Sequence, residues 1–322
     1  MISHYTFRLV CLSFSTFFLV HLLAGVAIGF LTPAIVRFFS QCKSGTAARA
    51  LFFLRMLPVA AAMFAVAVFC IPSYLRFEPE VDEEVIGFFC LAAAVLCVWA
   101  FLAALLRGFR AAYLSNEWLK LCRRKGTESG TGSPTTILLD EPVPMLALAG
   151  IIRPSIVISR GLMRALSRSE LAAAMRHERA HHEASDNLKR LLMALTPSLL
   201  PGWHGLLPLE LAWHRFTEWA ADDRAAAGPP GWSLSLASAL VRVGRIGAPS
   251  LESAVASSFL DTDRELPARV DRLLRPASNG LRPGILGATV GITCITVAYR
   301  LYLVVPGSPL ESFHRFLEQL ID

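Results

Sequence analysis

The sequence predicts an α-helical membrane protein with four transmembrane helices and an α+β domain on the cytoplasmic side. Charge depletion, four long apolar runs and the alternating charge of their connections predict it. Of 322 residues 54% are hydrophobic and only 17% charged, whereas a soluble chain of this size carries about a quarter charged residues. Crossing a bilayer takes about 20 apolar residues. Runs of that length extend from Leu9 to Leu31, Met56 to Tyr74, Val85 to Leu106 and Ile285 to Val305. The first is too long for a signal peptide and lacks a clear small-residue cleavage site, so it is read as an uncleaved span.

Charge orients the spans. The connection after the first run holds Arg37, Lys43 and Arg49 and no acid. The next holds Glu78, Glu80, Asp82, Glu83 and Glu84 against Arg76. After the third run come Arg107, Arg110, Lys120, Arg123, Arg124 and Lys125, and before the fourth Arg269, Arg272, Arg275 and Arg282. Positive connections stay cytoplasmic, so both termini face out. The expected organisation is a three-span region at 1–107, a cytoplasmic domain at 108–282, a fourth span at 283–306 and a short outer tail at 307–322. The formal charge of +6 accompanies no aromatic-basic interleaving and no zinc-finger spacing. The basic residues serve topology, and no nucleic-acid partner is expected. The seven cysteines form no C-x-x-C pair and read as packing residues.

Within 108–282, the stretch from Arg123 to Pro134 reads as a flexible linker. Thr136–Asp140 and Met145–Ser159 are β-rich, and the latter is expected to include an exposed edge strand to which a substrate adds in extended form. Ser167 followed by Glu170 and an apolar run is a capping box, so a helix starts there. Along it lies His177-Glu178-Arg179-Ala180-His181. Four residues are just over one helical turn, so both imidazoles leave one face and can share a tetrahedral ion. Glu178 is offset to the same side, where it can take a proton from a zinc-activated water and pass it to a leaving amine. The pattern points to a zinc peptidase.

Two histidines need a third protein ligand. Ala184 and Asn187 exclude the extended H-E-x-x-H-x-x-G-x-x-H form, and Asp186, half a helical turn away, is expected to face elsewhere. The helix expected at Pro208–Ala227 offers Glu218, with Asp222 four residues on to accept the ring N–H of a ligand histidine and orient it. His214 is the weaker candidate, and His182 and His204 read as bystanders. The apolar stretch Leu191–Trp213 cannot cross the membrane if His181 and Glu218 share an ion. Its Pro197, Pro201 and Pro208 agree, and it should lie along the membrane surface or inside the domain.

The run GIIRPSIVISRGLMRALSRSELAAAMRHERAHHEASDNLKRLL, followed by EWAADDRAA, resembles the BlaR/MecR-type membrane metallopeptidases, relatives of the HtpX-type membrane proteases. With its three spans before the domain and one after, the resemblance covers about residue 9 to 305. Its most specific parts are the zinc motif, Asp186-Asn187 and Glu218-x-x-x-Asp222. It implies a gluzincin fold of the zincin type, with His177, His181 and Glu218 holding one zinc ion (Zn2+) per chain and Glu178 as general base. The stretch ARVDRLL, which includes Arg269, resembles the segment closing the protease domain. Arg269 there reads as an aid to the protease site or, in preference, as a structural ion pair or a positive-inside charge. The family's antibiotic-sensing members carry a large extracellular domain after the fourth span. Here Pro306 to Asp322 is short and holds no Ser-x-x-Lys, so direct β-lactam sensing is not expected.

The resemblance implies an endopeptidase of the bacterial inner membrane, active on the cytoplasmic side in signal transduction such as cleavage of a transcriptional repressor. The alternatives are a quality-control protease of membrane proteins and a non-catalytic transducer with a structural zinc site. The expected partners are a protein or peptide substrate and the lipid bilayer.

Overall fold

A computed structural model of the protein describes residues 2–78, 86–129, 133–198, 204–229, 231–246, 257–258, 265–275, 310–313 and 315. Three of its helices are long and apolar enough to cross a membrane: His4–Phe39, Ser44–Phe77 and Phe88–Lys125. The first lies within α1 (Ile2–Phe39). The second joins α2 (Ser44–Ala65) to α3 (Ile71–Phe77) through a π-helical turn at Val66–Cys70. The third is α4 (Phe88–Lys125). Small residues line the contacts between them: Ala62, Cys97 and Ala100 pack with Phe17 and Phe18, and Cys70, Cys90 and Ala94 with Leu12 and Tyr74. Small side chains let helix backbones approach where lipid supplies no hydrophobic drive for association. Phe30, Phe53, Met63, Phe64, Phe88, Phe89, Leu102 and Leu106 point outward and are exposed, as an apolar solvent permits. The expected fourth span, Ile285–Val305, lies outside the described residues.

The helices outrun the apolar segments. α4 continues unbroken past Arg107 to Lys125. The stretch read as a linker is therefore partly regular: Arg123–Lys125 end α4, and β1 (Thr127–Ser129) pairs antiparallel with β2 (Thr136–Leu139). The strands β3 (Leu146–Ala149), β4 (Ser155–Ser159) and β5 (Ser257–Ser258) complete a sheet of order β1-β2-β4-β3-β5. Only the β2–β4 pair is parallel. Both faces are covered. Val157, Ile137 and Leu139 pack under Leu119 and Cys122 of α4. On the other face Ile156, Ile158, Leu146 and Leu148 pack against α5 (Arg160–Ala165), α6 (Arg168–Ala184) and α9 (Trp232–Ile246). Burial on two faces explains the continuous apolar run of β4.

The expected edge strand is corrected here. β3 is flanked by β4 on one side, and on the other Ala147 and Leu148 pair with Ser258 and Ser257. The chain itself occupies the edge on which a substrate strand was expected to add. Sequence pattern cannot separate edge from centre, because the partner comes from about a hundred residues away.

The described residues of the apolar stretch after α6 pack within the fold. Met193 of α7 (Asp186–Ala194), Leu206, and Leu209, Trp213 and Phe216 of α8 (Leu207–Ala226) pack against Ile28 of α1 and Ala47, Ala48 and Leu51 of α2. The extended ends of α1 and α2 thus form the platform that carries α8.

Candidate metal centre

Ser167 caps α6 as expected. Its hydroxyl accepts from the Glu170 N–H (3.3 Å), and the Glu170 carboxylate accepts from the Ser167 N–H (2.7 Å). Two further contacts lock α6 to α8. Arg176 Nε donates to the carbonyl of Ala225 (3.0 Å), and Arg224 Nη1 donates to the carbonyl of Ala180 (2.8 Å). Each arginine reaches across to the other helix's backbone, which sets the distance between the side chains that face each other.

Those side chains are His177 and His181 on α6 and Glu218 on α8, all buried. The two Nε2 atoms are 3.1 Å apart. Glu218 Oε2 lies 3.4 Å from the first and Oε1 3.5 Å from the second. Among the described residues, this triad is the group of His, Cys, Asp or Glu side chains able to hold a metal ion, its ligand atoms all within 4.8 Å of one another.

The far side of each imidazole meets a carboxylate. His177 Nδ1 lies 3.0 Å from Asp222 Oδ1, and His181 Nδ1 lies 2.8 Å from Asp186 Oδ2. Both Nδ1 atoms thus face an aspartate, and both Nε2 atoms face the same space as the Glu218 oxygens. Such a convergence of electron pairs, sealed from water, calls for a cation. Its electrostatics agree. Burial by itself would lower both imidazoles, yet Glu218 and Asp186 outweigh it at His181, which is pushed up to about 10. Asp222 and Glu218 likewise raise His177. Glu218 is held well below the usual carboxylate range because the charges of His181 and Arg269 outweigh its burial. Two imidazole nitrogens and one carboxylate suit zinc in type and number, leaving a coordination position open.

Asp186 departs from expectation. On a continuous helix it would face away, but Ser185 adopts a left-handed conformation (φ 55°, ψ 40°) and ends α6. The chain restarts as α7, which brings Asp186 back to His181. Asn187 beside it donates to the carbonyls of Leu148 (2.9 Å) and Gly150 (2.8 Å), tying the new helix to the end of β3. The signal available in sequence was Ser185-Asp186-Asn187 itself, residue types that favour helix starts.

Arg269, on α10 (Leu266–Leu274), is buried. Its Nε and Nη2 donate to Asp222 Oδ2 (2.8 Å) and Oδ1 (2.7 Å), and Nη1 lies 3.2 Å from Glu218 Oε2. Of the readings of Arg269, the structure shows the ion pair. Glu178 is fully buried, and among the described residues no side chain hydrogen-bonds its carboxylate, which faces the backbone of Leu148. Burial raises its carboxyl above the usual range, with His181 and His177 offsetting part of the effect. His214 lies one turn before Glu218 and is not part of the triad. His204 is exposed and His182 half-buried.

Residues 110–227 match the model of peptidase family M48. The matched stretch runs from the second half of α4 through α8 and contains the whole triad. No curated protein matches the chain.

Proposed function

We propose that the protein is a membrane-embedded zinc endopeptidase of the BlaR/MecR type. The observation that carries this reading is the triad, with an aspartate behind each histidine and a fully buried glutamate one residue from the first. His177, His181 and Glu218 hold the ion, and Asp222 and Asp186 fix the two ring tautomers. A bound zinc ion would polarise the scissile carbonyl and acidify a water molecule. Glu178 accepts the proton of the attacking water at a carboxylate oxygen and returns it to the leaving amine. Its raised affinity for a proton suits both halves of that exchange. Exclusion of water from the pocket strengthens each of these interactions.

The match to family M48 supports a protein substrate. The distribution of charge between the apolar runs supports four spans, a peptidase domain at 108–282 on the cytoplasmic side and both termini outside. The proposed role is signal transduction by cleavage of a cytoplasmic protein such as a repressor. A structural zinc site would use a fourth protein ligand. Among the described residues the cluster has three, which favours catalysis.

Comparative proteomics of cells carrying the intact protein or Glu178→Gln tests this reading. The variant should keep zinc and membrane insertion and lose cleavage, because an amide cannot take the proton. Substrate turnover by Glu178→Gln at the wild-type rate sinks the assignment.

A further inference from the structure

A second polar site lies beside the metal centre and outside it. A cavity of about 470 Å³ opens where the membrane helices meet α7 and α8, with Arg55, Arg107, Arg190, His21 and His214 in its wall. The one acid in the wall is Glu210, which accepts from Arg55 Nε at 2.6 Å. Three guanidinium groups against one carboxylate leave the cavity with an excess of two positive charges.

Much of this positive charge is unspent. Arg55 and His21 are buried, at 8% and 3% exposure. Among the described residues, Arg55 Nη1, His21 Nε2 and Arg190 Nε have no hydrogen-bond partner. Arg107 Nη2 donates to the Thr196 carbonyl (3.0 Å), which pins it to the cavity wall. The nearest acid to Arg190 outside the cavity is Glu218, at 3.9 Å, too far for a hydrogen bond. Burial and the charge of Arg190 push His214 down to about 4, so its ring faces the cavity uncharged. Arg107 is exposed, whereas Arg55 and Arg190 each bury one guanidinium nitrogen that no described residue satisfies; such a buried donor is costly unless an acceptor completes it.

Position indicates which anion. Arg55 immediately precedes the apolar run of α2, and Arg107 immediately follows that of α4. Both therefore stand at the depth of the lipid phosphates, on the side carrying the basic connections. Basic pockets between membrane helices at that depth hold phospholipid headgroups, and guanidinium groups bind phosphate oxygens in bidentate fashion. We propose that this cavity is a phosphate-binding site, filled by the headgroup of an acidic phospholipid or by free phosphate. Its occupation bridges α2 and α4 to α7 and α8, and so joins the membrane helices to Asp186 and Glu218 of the metal centre. The proposal does not depend on the peptidase reading.

The full chain, purified in a neutral detergent, is titrated with phosphatidylglycerol, phosphatidylcholine and inorganic phosphate, and retention is read by native mass spectrometry. Wild type should retain phosphatidylglycerol at least tenfold more tightly than phosphatidylcholine, and the double variant Arg107→Gln, Arg190→Gln should lose that preference. Saturation by inorganic phosphate that excludes phosphatidylglycerol supports the site and assigns it to the free anion. Equal retention of both lipids by wild type, with no binding of inorganic phosphate, overturns the proposal. So does an unchanged preference in the double variant. Should the variant fail to fold, a diazirine-bearing phosphatidylglycerol is crosslinked to wild type. Crosslinks within 190–198 or 204–214 support the site, and crosslinks confined to the outer helix faces overturn it.

Discussion

Arg269 grips Asp222 through two hydrogen bonds, 2.8 and 2.7 Å long, from a helix 47 residues further along the chain. Asp222 in turn faces His177 at 3.0 Å. An arginine, an aspartate and an imidazole thus form one buried line ending at the metal triad. Arg269→Gln should release Asp222 and leave a carboxylate buried without its partner, which costs about 3–5 kcal/mol. Both the thermal midpoint and zinc affinity should fall. Arg269→Lys should rescue little, since an ammonium cannot reproduce the paired contact. Wild-type zinc affinity in Arg269→Gln would show that the line does not reach the metal.

The two histidines are supported alike, so their aspartates should behave alike. Asp186→Asn and Asp222→Asn should each keep the ligand set and cost about 10- to 100-fold in zinc affinity or activity. Competition with a zinc-chelating dye on the purified variants measures this. An Asp186→Asn protein with unchanged affinity would reduce that residue to a helix-start contact.

Glu218→Ala should empty the centre of zinc, whereas His214→Ala should leave it filled. A chelator should abolish peptidase activity of the wild type, and added zinc should restore it. Metal content of the two variants by elemental analysis decides between them. A full site in Glu218→Ala together with an empty one in His214→Ala reverses the assignment.

Membrane-impermeant thiol labelling tests the orientation. Introduced cysteines at Asp82 and Ser312 should react from outside in intact cells, and those at Ser44 and Gly130 should not. Reaction at Gly130 from outside would place the metal centre on the wrong face for a cytoplasmic substrate.

Features set by neighbours in sequence were legible without a structure. The i, i+4 spacing of His177 and His181 follows from the helical repeat. The start of α6 follows from the Ser167–Glu170 capping box, and α8 was expected at Pro208–Ala227 and runs from Leu207 to Ala226. The three apolar helices declared themselves by length alone. Glu218 was reachable because few acids remained on a separate helix.

What only the tertiary structure decided depends on contacts between distant segments. Asp186 reaches His181 because one residue, Ser185, leaves the right-handed region. A periodicity argument assumes an unbroken helix and so turned that side chain the wrong way. Ser257 and Ser258 cover β3, although nothing in the four residues of that strand reveals which of its sides is free. The basic cavity draws its arginines from α2, α4 and α7, far apart in sequence and each unremarkable alone as a positive-inside charge. Local spacing determines which atoms can share a turn of helix. The packing of separate helices determines which charges must share a space without water, and there their chemistry is set.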